Sequence, residues 1–262
     1  MKVLNQAFTL LELSVVLVII GLIASGVLVG QNLIANAELR AVTAEYESFV
    51  TAINAFRTQY KAIPGDMRNA TRFWGAQHAT HATCIVTPSN SQATCNGDGN
   101  GQVGAGSNVG DANSERFRAW QQLASAGLIS GTFTGVAGSA GSIQAIPGTN
   151  APESRKTGAG WSFQFNDLLT NDGDPNRFIR TGGHYFWFGA PSSANRETME
   201  VILTTQDAFS IDSKIDDGRP GLGNVQGRKN ATTCYLNNAS AYTATYNLQN
   251  SAVACTMFMK AF

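Results

Sequence analysis

The run AFTLLELSVVLVIIGLIASGVLVG, residues 7–30, constrains this chain more than any other stretch of it. From Phe8 to Gly30 the one ionisable side chain is Glu12. A helix over that stretch, at about 1.5 Å per residue, is roughly 34 Å long, enough to cross the hydrocarbon core of a bilayer. The competing reading is an export signal cut after the small residues of IASG. Such signals have apolar cores of about 7–15 residues, whereas this core is longer and contains an acid. A carboxylate costs about 2.5–3.5 kcal/mol at the centre of a membrane helix, less near its end, and usually marks a partner or a function. Glu12 asks for a cation.

Beyond the span no proline occurs before Pro64, and apolar residues recur at Leu39, Val42, Tyr46, Phe49, Ile53, Phe56 and Tyr60, at alternating intervals of three and four. Glu38, Glu45, Glu47, Asn54, Arg57 and Lys61 mostly occupy the remaining positions. That spacing predicts one apolar stripe on a continuing helix, stopped by IPGD at 63–66. A coiled coil has the same spacing, but the aromatic content suits a helix laid on a globular domain.

The leader MKVLNQA, the following FTLLELSVVLVIIGLIA and the unbroken passage into an amphipathic half resemble the N-terminus of type IV prepilins and type II secretion pseudopilins. The resemblance covers about the first sixty residues. It implies an α+β, pilin-like fold in which a long N-terminal helix packs on an antiparallel sheet with long loops. Residues 1–7 are then a leader, 8–30 a transmembrane and assembly helix, 31–62 the amphipathic half of the same helix, and 63–262 an exported globular domain. A prepilin peptidase would cut between Ala7 and Phe8, and the new amine would be methylated. The family usually has Gly where this chain has Ala7, and many members have a kinking Pro where it has Val29. After cleavage Glu12 becomes the fifth residue, and in the family's assembly scheme the equivalent acid pairs with the amine of a neighbouring subunit. The implied partners are other pilin or pseudopilin subunits in a helical polymer, the prepilin peptidase and the inner membrane. The precursor would cross that membrane once, with its globular domain periplasmic or extracellular. The implied role is structural, in a pilus or a secretion pseudopilus. The alternative is a minor or tip pilin, or an anchored adhesin, whose loops bind a surface, a glycan or a secreted substrate.

Composition agrees with an exported domain of uncharged surface. Eighteen basic residues offset eighteen acidic ones, so no nucleic-acid partner is inferred, and 27 glycines fall largely in loop-like stretches such as 96–110 and 131–150. The four cysteines form two local pairs, Cys84 with Cys95 and Cys234 with Cys255, and short loops close at the least entropic cost. Disulfides at these pairs require an oxidising compartment. HATHATC also spaces His78, His81 and Cys84 as zinc ligands, with Cys95 as a fourth.

Within 63–262, DANSERFRAWQQLASAGLIS reads as a helix starting at Asn113 or Ser114, with Phe117, Trp120 and Leu123 on one face and Gly127 near its end. WSFQF at 161, HYFWFG at 184, EVILTT at 200 and CTMFMK at 255 read as strands. An antiparallel sheet packed on the helix stripe is expected, with the extra length in loops 75–110 and 130–160. CNGDGNGQV sets Asn96, Asp98 and Asn100 at alternate positions before Gly101, the first half of a calcium loop. An EF-hand would need Glu at position 107, which is Ser; Asp111 or Glu115 could substitute, and a tethered turn uses the same residues. Asp207, Asp212, Asp216 and Asp217 lie in a second acidic segment with a turn signal, of a kind some pseudopilins use for calcium. No cofactor is required by these readings, and calcium is the one ion they suggest. Enzyme chemistry finds little support. GNGQVG matches GxGxxG without a strand before it, and His184 sits among aromatics with no nucleophile signalled. Phe73, Trp74, Trp161 and Trp187 fit core packing, or alternatively a sugar-binding face.

Overall fold

The computed structural model describes residues 10–89, 91–104, 109–166, 178, 182–228, 233–237 and 241–262. It forms two compact units, one up to Arg40 and one from Ala41 to Phe262. The elements in chain order are α1 (Leu10–Tyr60), α2 (Thr71–Trp74), α3 (His81–Cys84), α4 (Val109–Ser125), β1 (Gly160–Asn166), β2 (Gly183–Gly189), β3 (Leu203–Thr204), α5 (Thr205–Ile215), β4 (Val225–Gly227), β5 (Tyr235–Leu236), β6 (Thr245–Tyr246), β7 (Val253–Cys255) and β8 (Met257–Lys260). The protein is α+β: an antiparallel four-stranded sheet in the order β1-β2-β8-β4, with two-stranded pairs β3-β7 and β5-β6.

From Ala41 onward the apolar stripe of α1 is the floor of the core. Val42, Phe49, Ile53 and Phe56 are buried, and Tyr46 donates its hydroxyl to the Lys260 carbonyl at 2.8 Å. The stripe meets one face of the sheet, where the register sets Trp161 opposite Phe188 and Phe163 opposite Phe186, with Phe186 opposite Met259 and Phe188 opposite Met257. Phe49 lies 5.6 Å from Trp161 and 5.0 Å from Trp120 of α4, and Trp120 lies 5.9 Å from Phe186. Helical spacing and two-residue alternation thus supply one shared aromatic core, each ring contributing about 1.5–3 kcal/mol by burial. The opposite face is covered too: Tyr185, Trp187 and Phe258 cluster with Met199, and the Ser162 and Thr198 hydroxyls bond at 2.9 Å. Glu45, on the polar side of the helix by periodicity, accepts from Ser154 Oγ (2.7 Å), Arg155 N (2.8 Å) and Trp161 Nε1 (2.9 Å). It fastens the helix to the loop preceding β1.

Three expectations need correction. α1 ends at Tyr60 through Lys61, whose φ of 54° is left-handed and whose N–H reaches the Arg57 carbonyl at 3.0 Å, so the helix stops before Pro64 is reached. α4 begins at Val109, not at Asn113 or Ser114. Ser114 and Glu115 are buried, and tertiary contact outweighs the preference of a serine for the cap. Its C-terminal end follows a Schellman pattern: Gly127, φ 70°, donates to Ala124 O at 2.9 Å and Leu128 to Leu123 O at 3.0 Å. The acidic segment from Asp207 is not a loop, since Asp207 and Asp212 lie on α5. Thr204, extended, caps α5 by accepting from Asp207 N at 3.2 Å, and Thr205, Ala208, Ile211 and Asp212 form its buried face. The same cap cuts the expected strand of EVILTT to Leu203–Thr204.

Candidate functional site

The unit up to Arg40 is a single helical segment covered in exposed apolar side chains. Leu10, Leu11, Leu17, Val18, Leu22 and Ile23 are each more than 60% exposed, a surface that a water-soluble monomer does not leave open. Among the described residues, α1 is the one helix long and apolar enough to cross a membrane. Glu12 stands in its first described turn. The hydroxyls of Ser14 and Ser25 donate back to Leu11 O (2.8 Å) and Leu22 O (2.9 Å), so these polar groups are satisfied within the helix, as lipid requires. Ala7 and Phe8 lie outside the described residues.

In the globular unit the structure gathers carboxylates at two places. At the first, Asp66, Asp98 and Glu115 each offer an oxygen, and these oxygens lie within 4.8 Å of one another. They come from the turn after α1, the loop after Cys95, and α4. Backbone contact makes this convergence possible. Gly65, at φ +91°, has no room for a Cβ against the Glu115 carbonyl, and Gly97 has none against the main chain of Gly65 and Asp66. Glu115 is fully buried; its Oε1 accepts from Asp98 N (3.0 Å) and its Oε2 from Gly104 N (3.3 Å). Asp98 accepts at Oδ1 from Asn100 N (2.9 Å) and at Oδ2 from Asn100 Nδ2 (2.8 Å). Asp66, 6% exposed, accepts from Gly101 N at Oδ2 (3.0 Å), while its buried Oδ1 has no donor. Burial pushes the Glu115 carboxyl up to about 8, partly opposed by the Asp98 N–H. Burial also raises Asp66, and the facing Asp98 carboxylate adds to the rise.

Sequence reasoning named Asp98 and weighed Glu115 but took Asp66 only as part of a helix stop. Its position directly after the Pro-Gly turn was the available signal. Asn96 and Asn100 are turned to backbone work: Asn96 Oδ1 accepts from Thr71 N (2.9 Å) and Asn100 Oδ1 from Gln102 N (2.7 Å). Ser107 and the side chain of Asp111 lie outside the described residues.

At the second place Asp212, Asp216 and Asp217 converge within the same 4.8 Å. Here each carboxylate already accepts at least one hydrogen bond. Asp212 accepts from Tyr246 Oη (2.8 Å) and Gly218 N (3.2 Å), Asp216 Oδ2 from the N–H groups of Asn224 and Val225, and Asp217 from Arg219 N (2.8 Å). Burial lifts Asp212 to about 7, against the pull of the Tyr246 hydroxyl. This cluster knots the turn after α5.

The remaining candidates are structural. Cys84 is bonded to Cys95 and Cys234 to Cys255, with Cα atoms 5.9 and 5.4 Å apart, so Cys84 and Cys95 do not serve as thiolates beside His78 and His81. His184, 3% exposed, stacks 4.4 Å from Phe262 and accepts from Val103 N through Nε2 at 3.2 Å. Burial, with the Arg57 charge, lowers its pKa to about 4. GNGQVG forms turns rather than a strand-to-helix junction. Trp161 and Trp187 point to opposite faces of the sheet, both buried, while Phe73 and Trp74 gather with Phe56 and Tyr60, so the four do not make one sugar-binding face.

Residues 4–28 match a family model described as the prokaryotic N-terminal methylation motif. Comparisons with curated proteins and with solved structures find no match. The matched stretch contains Ala7, Phe8 and Glu12 and the first half of the exposed apolar helix. The N-terminal segment of this chain therefore carries the prepilin-type cleavage and methylation motif, which supports a type IV pilin or pseudopilin.

Proposed function

We propose that the chain is a structural subunit of a type IV pilus or a type II secretion pseudopilus, processed between Ala7 and Phe8 and assembled through α1. The observation that carries this reading is the methylation motif over residues 4–28, continuous with an apolar helix whose side chains are exposed. Cleavage before Phe8 creates an α-ammonium near the membrane surface. Glu12 of an adjacent subunit is its natural counter-charge: each group alone is costly in an apolar bundle, and together they fix the axial register between helices. An amine paired with Glu12 of a neighbour makes the pair a polymerisation signal. The globular unit then faces outward, and no catalytic role is assigned to it.

Two measurements test this. Intact mass of the native mature protein should equal residues 8–262 plus one methyl group, less four hydrogens for two disulfides; an N-terminus near residue 27 would instead identify a cleaved export signal. Glu12→Ala should leave cleavage and membrane insertion unchanged while reducing incorporation into surface filaments at least tenfold. Filaments of normal number and length from Glu12→Ala would sink the proposal.

A further inference from the structure

We infer that Asp66, Asp98 and Glu115 form a calcium site that clamps together the turn after α1, the disulfide loop and α4. Two oxygens that both touch one calcium ion at about 2.4 Å stand no more than about 4.8 Å apart. The three carboxylates already offer oxygens within that separation. Acidic residues alone would not identify a site; the second observation is the unsatisfied atom. Asp66 is 6% exposed, its Oδ1 is buried without a donor, and its carboxylate faces that of Asp98. A buried carboxylate oxygen with no donor is expensive in any protein, and two facing carboxylates compound the penalty. One divalent cation between them removes both.

The donors found at the three carboxylates are uncharged: the N–H groups of Gly101, Asp98, Gly104 and Asn100, and the Asn100 amide. They orient the oxygens without neutralising them. Each carboxylate oxygen has two lone-pair directions, so those that accept one N–H retain a second for a metal. The donor set is all oxygen, which excludes a soft-metal preference and suits calcium or magnesium. Calcium is the better match. The ligands come from three segments, two of them loops, so the shell is adaptable rather than octahedral, and backbone carbonyls and water can complete a coordination number of six to eight. Solvent reaches the site, because Asp66 lines a cavity of about 620 Å³ with Gly99, Gly101 and Asn54; Arg57 and Lys61 line it too, and Arg57 is held over the Phe262 ring at 4.0 Å. The site belongs to the globular unit, and its occupancy does not depend on filament assembly. It is separate from the cluster at Asp212, where each carboxylate accepts at least one hydrogen bond and no buried oxygen is left without a donor.

The experiment is calorimetric titration and thermal unfolding of the purified full-length chain in detergent, with calcium, with magnesium and with EGTA. Calcium should bind at one ion per chain and raise the unfolding temperature, and EGTA should reverse the rise. Asp66→Asn and Glu115→Gln should each weaken calcium binding at least tenfold. In EGTA Asp66→Asn should unfold no earlier than the unmodified chain, because it relieves the repulsion from the facing Asp98 carboxylate; that separates loss of a ligand from loss of the fold. Asp216→Asn should keep full affinity. The inference falls if the unmodified chain shows no calcium response, if Asp66→Asn and Glu115→Gln respond normally, or if binding is lost in Asp216→Asn alone. A magnesium response equal to that of calcium overturns the choice of ion.

Discussion

His184 enters the fold without its proton, and that has a measurable sign. Its folded pKa of about 4 lies below the unfolded value of about 6.5. Between those values the unfolded chain binds a proton that the folded chain does not, so stability is full above pH 6.5 and declines as pH falls toward 4, by about 3 kcal/mol in all. Glu115 and Asp212, with raised folded values, act in the opposite sense as pH rises, so the contribution of His184 must be read as a difference. His184→Gln keeps an acceptor for Val103 N and should lose stability less steeply than the unmodified chain between pH 6.5 and 4 in urea unfolding. Parallel curves would mean that the imidazole is not held neutral. The structural role of this histidine was legible in its aromatic neighbours, Tyr185, Phe186 and Trp187. Glu45 was not legible, because helical periodicity puts it with the solvated charges, and only the loop at 154–155 and the indole of Trp161 give it buried work. Asp66 was hidden in the same way, by a Pro-Gly turn that explained its presence locally.

Elements announced by strong local chemistry could be read, and those built by tertiary contact could not. The cysteine pairs followed from short spacing alone, and β1 and β2 followed from aromatic runs bounded by turn residues. α5 was obscured because Asp, Gly and Pro after it dominate the composition, although Thr205, Ala208, Ile211 and Asp212 carry a helical spacing. The start of α4 was misplaced because serine at 114 imitates a cap. The Cys84–Cys95 bridge illustrates how such elements cooperate. Cys95 is fully buried, its carbonyl accepts from Gln122 Nε2 of α4 at 3.3 Å, and it immediately precedes the Asn96–Asp98 stretch. Replacing both cysteines by serine should cost about 2–3 kcal/mol, the loop-closure value for a bridge of this span, read as a lower urea midpoint with a similar slope. An unchanged midpoint would show that contacts to α4 hold the loop without the bridge.

At the scale of the whole molecule, the globular unit from Ala41 to Phe262 contains its own helical floor, two-faced sheet and both disulfides. A chain beginning at Ala41 should therefore be soluble without detergent and unfold in a single cooperative transition, checked by circular dichroism and tryptophan fluorescence together. A requirement for detergent, or transitions that differ between the two probes, would contradict this independence. The α+β class was readable from the sequence, but the strand order was not: alternation identifies a strand and its buried face, not its neighbours. That order matters beyond architecture. β8 follows every other strand in the chain and yet lies between β2 and β4. As a chain emerges from ribosome or membrane channel, the β1–β2 hairpin and β4 wait with open edges, and the sheet has no seam until residues 257–260 arrive. A chain halted upstream of Met257 keeps most of its mass and composition but offers two unpaired strand edges, each a template on which another unfinished chain can pair.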